Sequence, residues 1–96
     1  MIVTISSSSR ISVPSDTLIN ILGGESVLLS LKSQQYFGLD EVGTQMWNAL
    51  TSTPSVEAAY ETLLEEYEVE PETLRQDLYD LIGKLAEQGL VEVQSE

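Results

Sequence analysis

The sequence predicts an α+β fold of winged-helix character, in which a small antiparallel three-stranded sheet is followed by three helices and a short terminal strand. Short alternating apolar runs, separated by glycine or polar turns, occupy the N-terminal part of the chain. In the remainder, apolar residues recur at helical spacing in three successive segments. A chain of 96 residues suits a single modest core, so we expect residues 1–96 to form one domain.

The N-terminal strands are expected to form a meander. Its strands run through Thr17–Leu22, Ser26–Leu31 and Gln35–Leu39, with turns at Gly23-Gly24 and Lys32–Gln34. Ile11–Val13 also alternates like a strand and stops at Pro14, so it either precedes the meander or belongs to its first strand. The serine run at residues 6–9 is a flexible linker or a loop, and residues 1–10 are where flexibility is expected.

The first helix is predicted from Asp40 to Leu50, directly after the third strand. The Asp40 carboxylate suits the N-cap, because it can accept a hydrogen bond from a free N–H of the first turn. The spacing of the following apolar residues places them on one buried face of this helix. These residues are Val42, Met46, Trp47, Ala49 and Leu50.

Two more amphipathic helices follow a break at Pro54. Ser55 can cap the second helix, and Pro71 suits the first turn of the third. Gly89 fits the left-handed position after the third helix, and Leu90–Val93 is expected to form the terminal strand. The apolar stripe of the second helix comprises Val56, Ala59, Tyr60, Leu63, Leu64 and Tyr67. The stripe of the third helix comprises Leu74, Leu78, Leu81, Ile82 and Leu85.

The composition argues against an enzyme. The sequence contains no cysteine and no histidine, which excludes disulfides, thiolate nucleophiles, imidazole bases and the usual zinc ligands. No nucleotide-binding or hydrolase motif occurs. The glutamates along one edge of the second helix repel each other and stay solvated rather than forming a metal site. We therefore expect no cofactor.

The charge is unevenly distributed along the chain. The net charge is −12, and residues 40–96 carry all of it, because the charges of residues 1–39 balance. Such a surface repels nucleic acid and anionic membranes, and Leu74–Gln88 is too acidic for a DNA-recognition helix. No apolar run is long enough to span a bilayer, and Met1–Ile5 lacks the features of a signal peptide, so a cytoplasmic location is expected.

The predicted meander leaves one edge of its third strand unpaired. Gln35–Leu39 pairs on one side with Ser26–Leu31, and it carries neither a proline nor a charge, which are common means of blocking an exposed edge. An extended peptide can add to such an edge as another strand. The alternative is that the third helix or another subunit covers this edge.

Several motifs resemble the PqqD-like family, the recognition elements for precursors of ribosomally synthesised and post-translationally modified peptides. The motifs are the aliphatic strand Val27–Leu31, the turn Lys32–Gln34, the strand YFGLD at Tyr36–Asp40 and the helix VGTQMWNAL at Val42–Leu50. The two later helices agree in spacing, so the resemblance covers residues 17–93. Asp40 departs from the asparagine that is usual in the family, but both residues cap helices well.

The resemblance implies a binding site for the leader segment of a precursor peptide. In this family the leader adds as a strand to the third strand, in a groove lined by the last long helix. Side chains alternate across a strand, so Phe37 and Leu39 should face the helices and Tyr36 should face outward, while Gly38 lets the guest backbone lie close. By position, the peptide-binding residues are Gln35, Tyr36, Phe37, Gly38, Leu39, Leu74, Asp77, Leu78 and Leu81.

The sequence therefore predicts a stand-alone peptide recognition element that resembles the lasso-peptide type. We expect it to bind a leader peptide and to present it to a maturation enzyme. The resemblance implies a transglutaminase-like cysteine protease, the leader peptidase, as partner, with an ATP-dependent cyclase acting afterwards. A PqqD-type chaperone for a radical SAM enzyme is the alternative within this class, and a winged-helix regulator is a less favoured one.

Overall fold

The computed structural model describes residues 5–94, so residues 1–4, part of the segment 1–10 expected to be flexible, lie outside the described residues. The strands are β1 Arg10–Ser12, β2 Thr17–Leu22, β3 Glu25–Ser30, β4 Gln35–Leu39 and β5 Glu92–Gln94. The helices are α1 Glu41–Ser52, α2 Val56–Glu66 and α3 Pro71–Glu87. The predicted α+β class is confirmed, whereas a winged helix describes it only loosely, because the three-stranded sheet precedes all three helices.

The predicted meander is present. Strands β2, β3 and β4 form an antiparallel sheet in that order. The register places Leu28 opposite Phe37 and Leu29 opposite Tyr36. Paired residues share a face of the sheet; Leu28 is buried and Tyr36 is 72% exposed. The predicted orientations, with Phe37 toward the helices and Tyr36 away from them, are therefore confirmed.

Strand β1 does not join the meander. It pairs antiparallel with β5 in a separate two-stranded sheet, with Ile11 opposite Val93. Of the two alternatives for Ile11–Val13, the one that makes it part of the first strand is wrong, because β1 is a separate strand that precedes the meander in the chain. Ile11 and Val93 pack against the buried cluster of the helices. Burial against distant parts of the chain accounts for the pairing of β1 with β5. A local alternation of apolar and polar residues gives no information about such distant contacts.

Helix α1 begins as the sequence predicts. The Asp40 carboxylate accepts a hydrogen bond of 2.8 Å from the N–H of Gly43. The predicted apolar face is buried at Met46, Trp47, Ala49 and Leu50. Val42 is the exception, because its side chain is 62% exposed. It lies in the first turn of α1, which borders a cavity instead of packing against another element.

The serine run before β1 is a loop that supports the start of α2. Ser55 caps this helix, as predicted. The carbonyl oxygens of Ser9 and Ser7 accept hydrogen bonds, each of 2.9 Å, from the N–H groups of Val56 and Glu57. These bonds pair first-turn amides that have no partner within the helix.

The helices and the sheet bury two adjoining apolar clusters. The helical core contains Met46, Ala49, Leu50, Val56, Ala59, Tyr60, Leu63, Leu74, Leu78 and Ile82. The sheet core contains Leu28, Leu39, Trp47, Leu85, Leu90 and Val91. Leu81 contacts both clusters. Tyr67, predicted in the stripe of α2, is instead exposed and lies at the C-cap, where the helix has ended.

Two buried hydroxyl groups connect β3 to α1. The Oγ of Ser26 lies 2.7 Å from the Oγ1 of Thr44, and either can be the donor. Both residues are buried, and a buried hydroxyl without a partner costs about 1–3 kcal/mol. This hydrogen bond therefore helps to fix the sheet against the helix that borders the end of β4.

One ion pair is present among the described residues, and it links α3 to α2. The Nη1 atom of Arg75 lies 3.3 Å from Oε2 of Glu57, and its guanidinium carbon lies 4.1 Å from the centroid of the Tyr60 ring. The hydrogen bond to Glu57 raises the pKa of Arg75 above its ordinary value. Because both partners are exposed, the pair orients the two helices more than it stabilises the fold.

Candidate functional site

Strand β4 forms a free edge of the three-stranded sheet. Within residues 5–94 its one strand partner is β3, so the backbone groups on its other side have no ladder partner. The sequence of β4, QYFGL, contains no proline and no charged residue. Residues of α3 and of this strand line a common groove, here called the β4–α3 groove. The predicted free edge is thus present in the structure.

The β4–α3 groove has a volume of about 350 Å³. The strand forms one side, α3 forms the other, and the start of α1 closes one end. The residues contributed by α3 recur at spacings of three and four, so they lie on one face of that helix. The groove is lined by Phe37, Gly38, Leu39, Asp40, Gly43, Asp77, Asp80, Leu81 and Lys84.

Five of the nine predicted site residues meet in this groove: Phe37, Gly38, Leu39, Asp77 and Leu81. Phe37 and Leu81 are partly buried and pack against the sheet core, while Leu39 belongs to that core. The apolar floor is therefore held by the main body of the fold. The open side of the groove follows the unpaired edge of β4.

The other four predicted residues lie elsewhere. Gln35 and Tyr36 belong to β4 but not to the lining of the groove, and Tyr36 points to the opposite face of the sheet. Leu78 is 0% exposed in the helical core, so it does not line the groove. Leu74 is also buried and borders a different cavity. The apolar stripe of α3 mainly faces the core. The residues of α3 that line the groove lie on the adjacent face of the helix.

Four residues of the groove were not predicted: Asp40, Gly43, Asp80 and Lys84. Asp80 and Lys84 look like ordinary surface charges in the sequence. Their helical spacing with Asp77 is the signal that would have placed all three on one face. The groove thus has three carboxylates and a single amine, besides its apolar floor.

A second cavity, here called the helical pocket, lies between the starts of α1 and α3 and the end of α2. Its volume is about 240 Å³. Asp77 lines both this pocket and the β4–α3 groove. The pocket is lined by Glu41, Val42, Gln45, Met46, Leu63, Tyr67, Val69, Thr73, Leu74 and Asp77. Sequence reasoning missed it, because Val42 and Tyr67 were assigned to the core.

The geometry of the groove suits the binding of an extended chain. Within residues 5–94, no group of three or more carboxylates, histidines or cysteines is placed to hold a metal ion. Across the same range, no helix has the length and apolar character required to cross a bilayer. A free strand edge beside an apolar floor can instead pair with an extended backbone and accept its side chains.

Comparison with known proteins identifies relatives of the same fold. Residues 25–91 match the family described as coenzyme PQQ synthesis protein D (PqqD). The structure of TbiB1 in complex with the TbiA(beta) leader peptide is 30% identical in sequence, with a TM-score of 0.79 over 88% of this chain and 99% of that chain. A lasso peptide synthetase B1 complexed with the leader peptide shares the fold at 23% identity, with a TM-score of 0.76 over 86% and 98% of the two chains. No curated protein sequence matches significantly.

Proposed function

Because the chain belongs to the PqqD family, we propose that it binds the leader segment of a ribosomally synthesised precursor peptide in the β4–α3 groove. The observation that carries this proposal is the unpaired edge of β4 beside an apolar-floored groove. The resemblance to TbiB1, a structure in complex with a leader peptide, supports the same ligand class.

The guest is expected to bind as an additional strand. Its backbone would hydrogen-bond to the free edge of Gln35–Leu39, and alternate side chains would enter the groove. Phe37 and Leu81 would contact those side chains, and Gly38, which borders the groove without a side chain, would let the guest backbone lie close. Leu78 would act from the core by supporting Leu81.

Presentation of the bound leader to a maturation enzyme is the second part of the proposal. The likeness to TbiB1 and to a lasso peptide synthetase B1, both in complex with a leader peptide, supports a lasso-peptide pathway. A cytoplasmic location is part of the proposal. The partner would be a cysteine-protease leader peptidase, with an ATP-dependent cyclase acting later. The match to PQQ synthesis protein D supports the second candidate, a peptide chaperone for a radical SAM enzyme. In either role the chain acts without catalysing a reaction.

The first test is binding of a synthetic leader peptide encoded by a precursor gene next to the gene for this chain. Calorimetry should give micromolar or tighter affinity, which corresponds to about 8 kcal/mol or more. Hydrogen exchange should show new protection at amides within Gln35–Leu39. The absence of binding to folded protein, or protection confined to the acidic edge of α2, would contradict the proposal.

N-methylation of single leader residues provides a sharper test of strand addition. In a strand at a sheet edge, successive N–H groups point alternately toward the neighbouring strand and away from it. Methylation should therefore weaken binding at every second residue of the paired segment, and each intervening residue serves as its matched control. Losses without this alternation would show that the guest does not pair with β4.

A further inference from the structure

The three-stranded sheet has a second free edge, formed by β2. The strand order is β2-β3-β4, so β3 is the one strand partner of β2 within residues 5–94. The sequence of β2, TLINIL, contains no proline and no charged residue. Its side chains are largely uncovered: Leu18 and Ile21 are each 50% exposed, and Leu22 is 71% exposed. An edge without blocking residues is suited to pairing with a strand of another chain.

The turn between β2 and β3 determines which backbone groups of β2 are free. Gly23-Gly24 is a two-residue turn with positive φ at both positions, and the hydrogen bond of such a turn joins the residues that flank it, Leu22 and Glu25. Hydrogen bonds to β3 then recur at every second residue of β2. The N–H and C=O groups of Ile19 and Ile21 therefore point away from β3, toward the free side.

Two hydrogen bonds beyond the strand agree with this alternation. The N–H of Thr17, which the alternation also directs to the free side, donates to the carbonyl oxygen of Pro14 at 3.0 Å. The carbonyl oxygen of Asp16, which the alternation directs toward β3, accepts a hydrogen bond of 2.8 Å from the N–H of Leu31. The backbone groups available for pairing are thus those of Ile19 and Ile21.

The sequence of β2 is complementary to itself in an antiparallel pair. With a two-fold axis through Asn20, Ile19 of one copy lies opposite Ile21 of the other, and these residues carry the free backbone groups. Each such pair would exchange two hydrogen bonds. Leu18 would lie opposite Leu22 on the other face of the sheet, so apolar side chains meet on both faces. The neighbouring registers that keep the faces aligned would instead place Asn20 opposite a leucine.

The charge distribution favours contact between copies through this part of the chain. Residues 40–96 carry the whole net charge of −12, whereas the charges of residues 1–39 balance. Two copies that met through their helices would repel each other, and contact through the meander keeps that repulsion smallest. Pairing at β2 also leaves both β4 edges at the outer ends of the joined sheet.

We propose that two copies of this chain pair through β2, antiparallel and with Asn20 on the two-fold axis, to form one continuous sheet in the order β4-β3-β2-β2-β3-β4. The contact involves one strand of each copy, so the dimer is weak, with a dissociation constant on the order of 100 µM. Both β4–α3 grooves stay open, and the inference does not depend on what these grooves bind.

Sedimentation equilibrium between about 10 µM and 1 mM protein tests whether the dimer forms. The dimer fraction of the unaltered chain should rise across this range, and it should rise further with added salt, because salt screens the repulsion between the acidic helices. Ile21→Lys should remain monomeric, since it places a charge on the pairing edge. Val69→Lys is the matched control, because Val69 is 44% exposed outside the sheet, and it should dimerise like the unaltered chain.

Disulfide cross-linking tests the register. The chain contains no cysteine, so Asn20→Cys can form only an intermolecular disulfide. Opposed residues of this kind have Cα atoms about 4.5 Å apart, within the reach of a disulfide. With oxidised glutathione, the linked dimer should form at least roughly tenfold faster than in Asn48→Cys, which alters an exposed asparagine of α1.

Two results would overturn the proposal. One is a monomer across the whole concentration range, and the other is a dimer in which Asn20→Cys cross-links no faster than Asn48→Cys. Circular dichroism verifies that each variant is folded. Neither result would affect the proposed leader binding, which calorimetry with the leader peptide tests separately.

Discussion

Leu78 and Leu81 lie less than one turn apart on α3, yet their surroundings differ. Leu78 is fully enclosed by the helical core, whereas Leu81 is partly buried and reaches the β4–α3 groove. Successive residues of a helix are rotated by about 100°, so positions three apart are separated by about 60° around the axis. That rotation is sufficient to move a side chain from the core to the edge of the groove.

Leu81→Glu is therefore the informative substitution for leader binding. We expect at least roughly tenfold weaker binding, because a carboxylate would replace part of the apolar floor. Leu64→Glu is the matched control, since Leu64 is also partly buried against the helical core but lies on α2, away from the groove. Calorimetry on folded variants should distinguish the two. Equal affinities would place the binding site elsewhere.

At the scale of elements, the N-cap of α1 contributes to the stability of the fold and also forms part of the β4–α3 groove. The Asp40 carboxylate bonds the amide of Gly43, and both residues line the β4–α3 groove. The caps of α1 and α2 are chemically similar, because Ser55 accepts a hydrogen bond of 3.1 Å from the N–H of Ala58. Only the first cap borders the groove.

Asp40→Ala should lower the free energy of unfolding by about 0.5–2 kcal/mol, while Asp40→Asn should change it little, since asparagine caps equally well. Ser55→Ala should cost a similar amount through the same loss of a cap. Urea denaturation measures these differences. Under native conditions Ser55→Ala should bind leader peptide normally. An Asp40→Ala variant with an unchanged free energy of unfolding would show that the cap contributes nothing to the stability of this fold.

The sequence predicted best those elements whose signals are local. The meander and the starts of the helices follow from alternation, turns and capping residues, so Gln35–Leu39 and Asp40 were located correctly. Pairing of β1 with β5 was missed, because it depends on packing between distant parts of the chain. Val42 was misassigned for a related reason: helical spacing shows that residues share a face, but it does not show where that face stops being covered.

At the scale of the whole molecule, the net charge and the proposed binding surface lie partly on different segments of the chain. The chain up to Leu39 is electrically balanced, and the helical part carries the net charge of −12. The unpaired backbone edge lies on the balanced part, and the charged side chains of the groove come from Asp40 and from α3, including Asp77 and Lys84. Apolar contact and backbone pairing are screened by salt far less than contacts between exposed charges.

Doubling the ionic strength should therefore change leader affinity by less than about twofold. Calorimetric titrations of the same peptide at both salt concentrations provide the comparison. A basic peptide without apolar anchors serves as the control, since any weak attraction to the acidic helices should disappear in salt. If the affinity for the leader itself fell steeply at the higher salt concentration, attraction to the acidic surface of α2 would explain binding better than strand addition.

The pairing of β1 with β5 brings distant positions of the chain side by side. Arg10 lies opposite Gln94, and Cα atoms of such neighbours are about 4.5–5.5 Å apart. A linker that joins Gln94 to the residues before Ser6, and so keeps the serine loop on the start of α2, should give a circular permutant opened at Gly23-Gly24 that retains the fold.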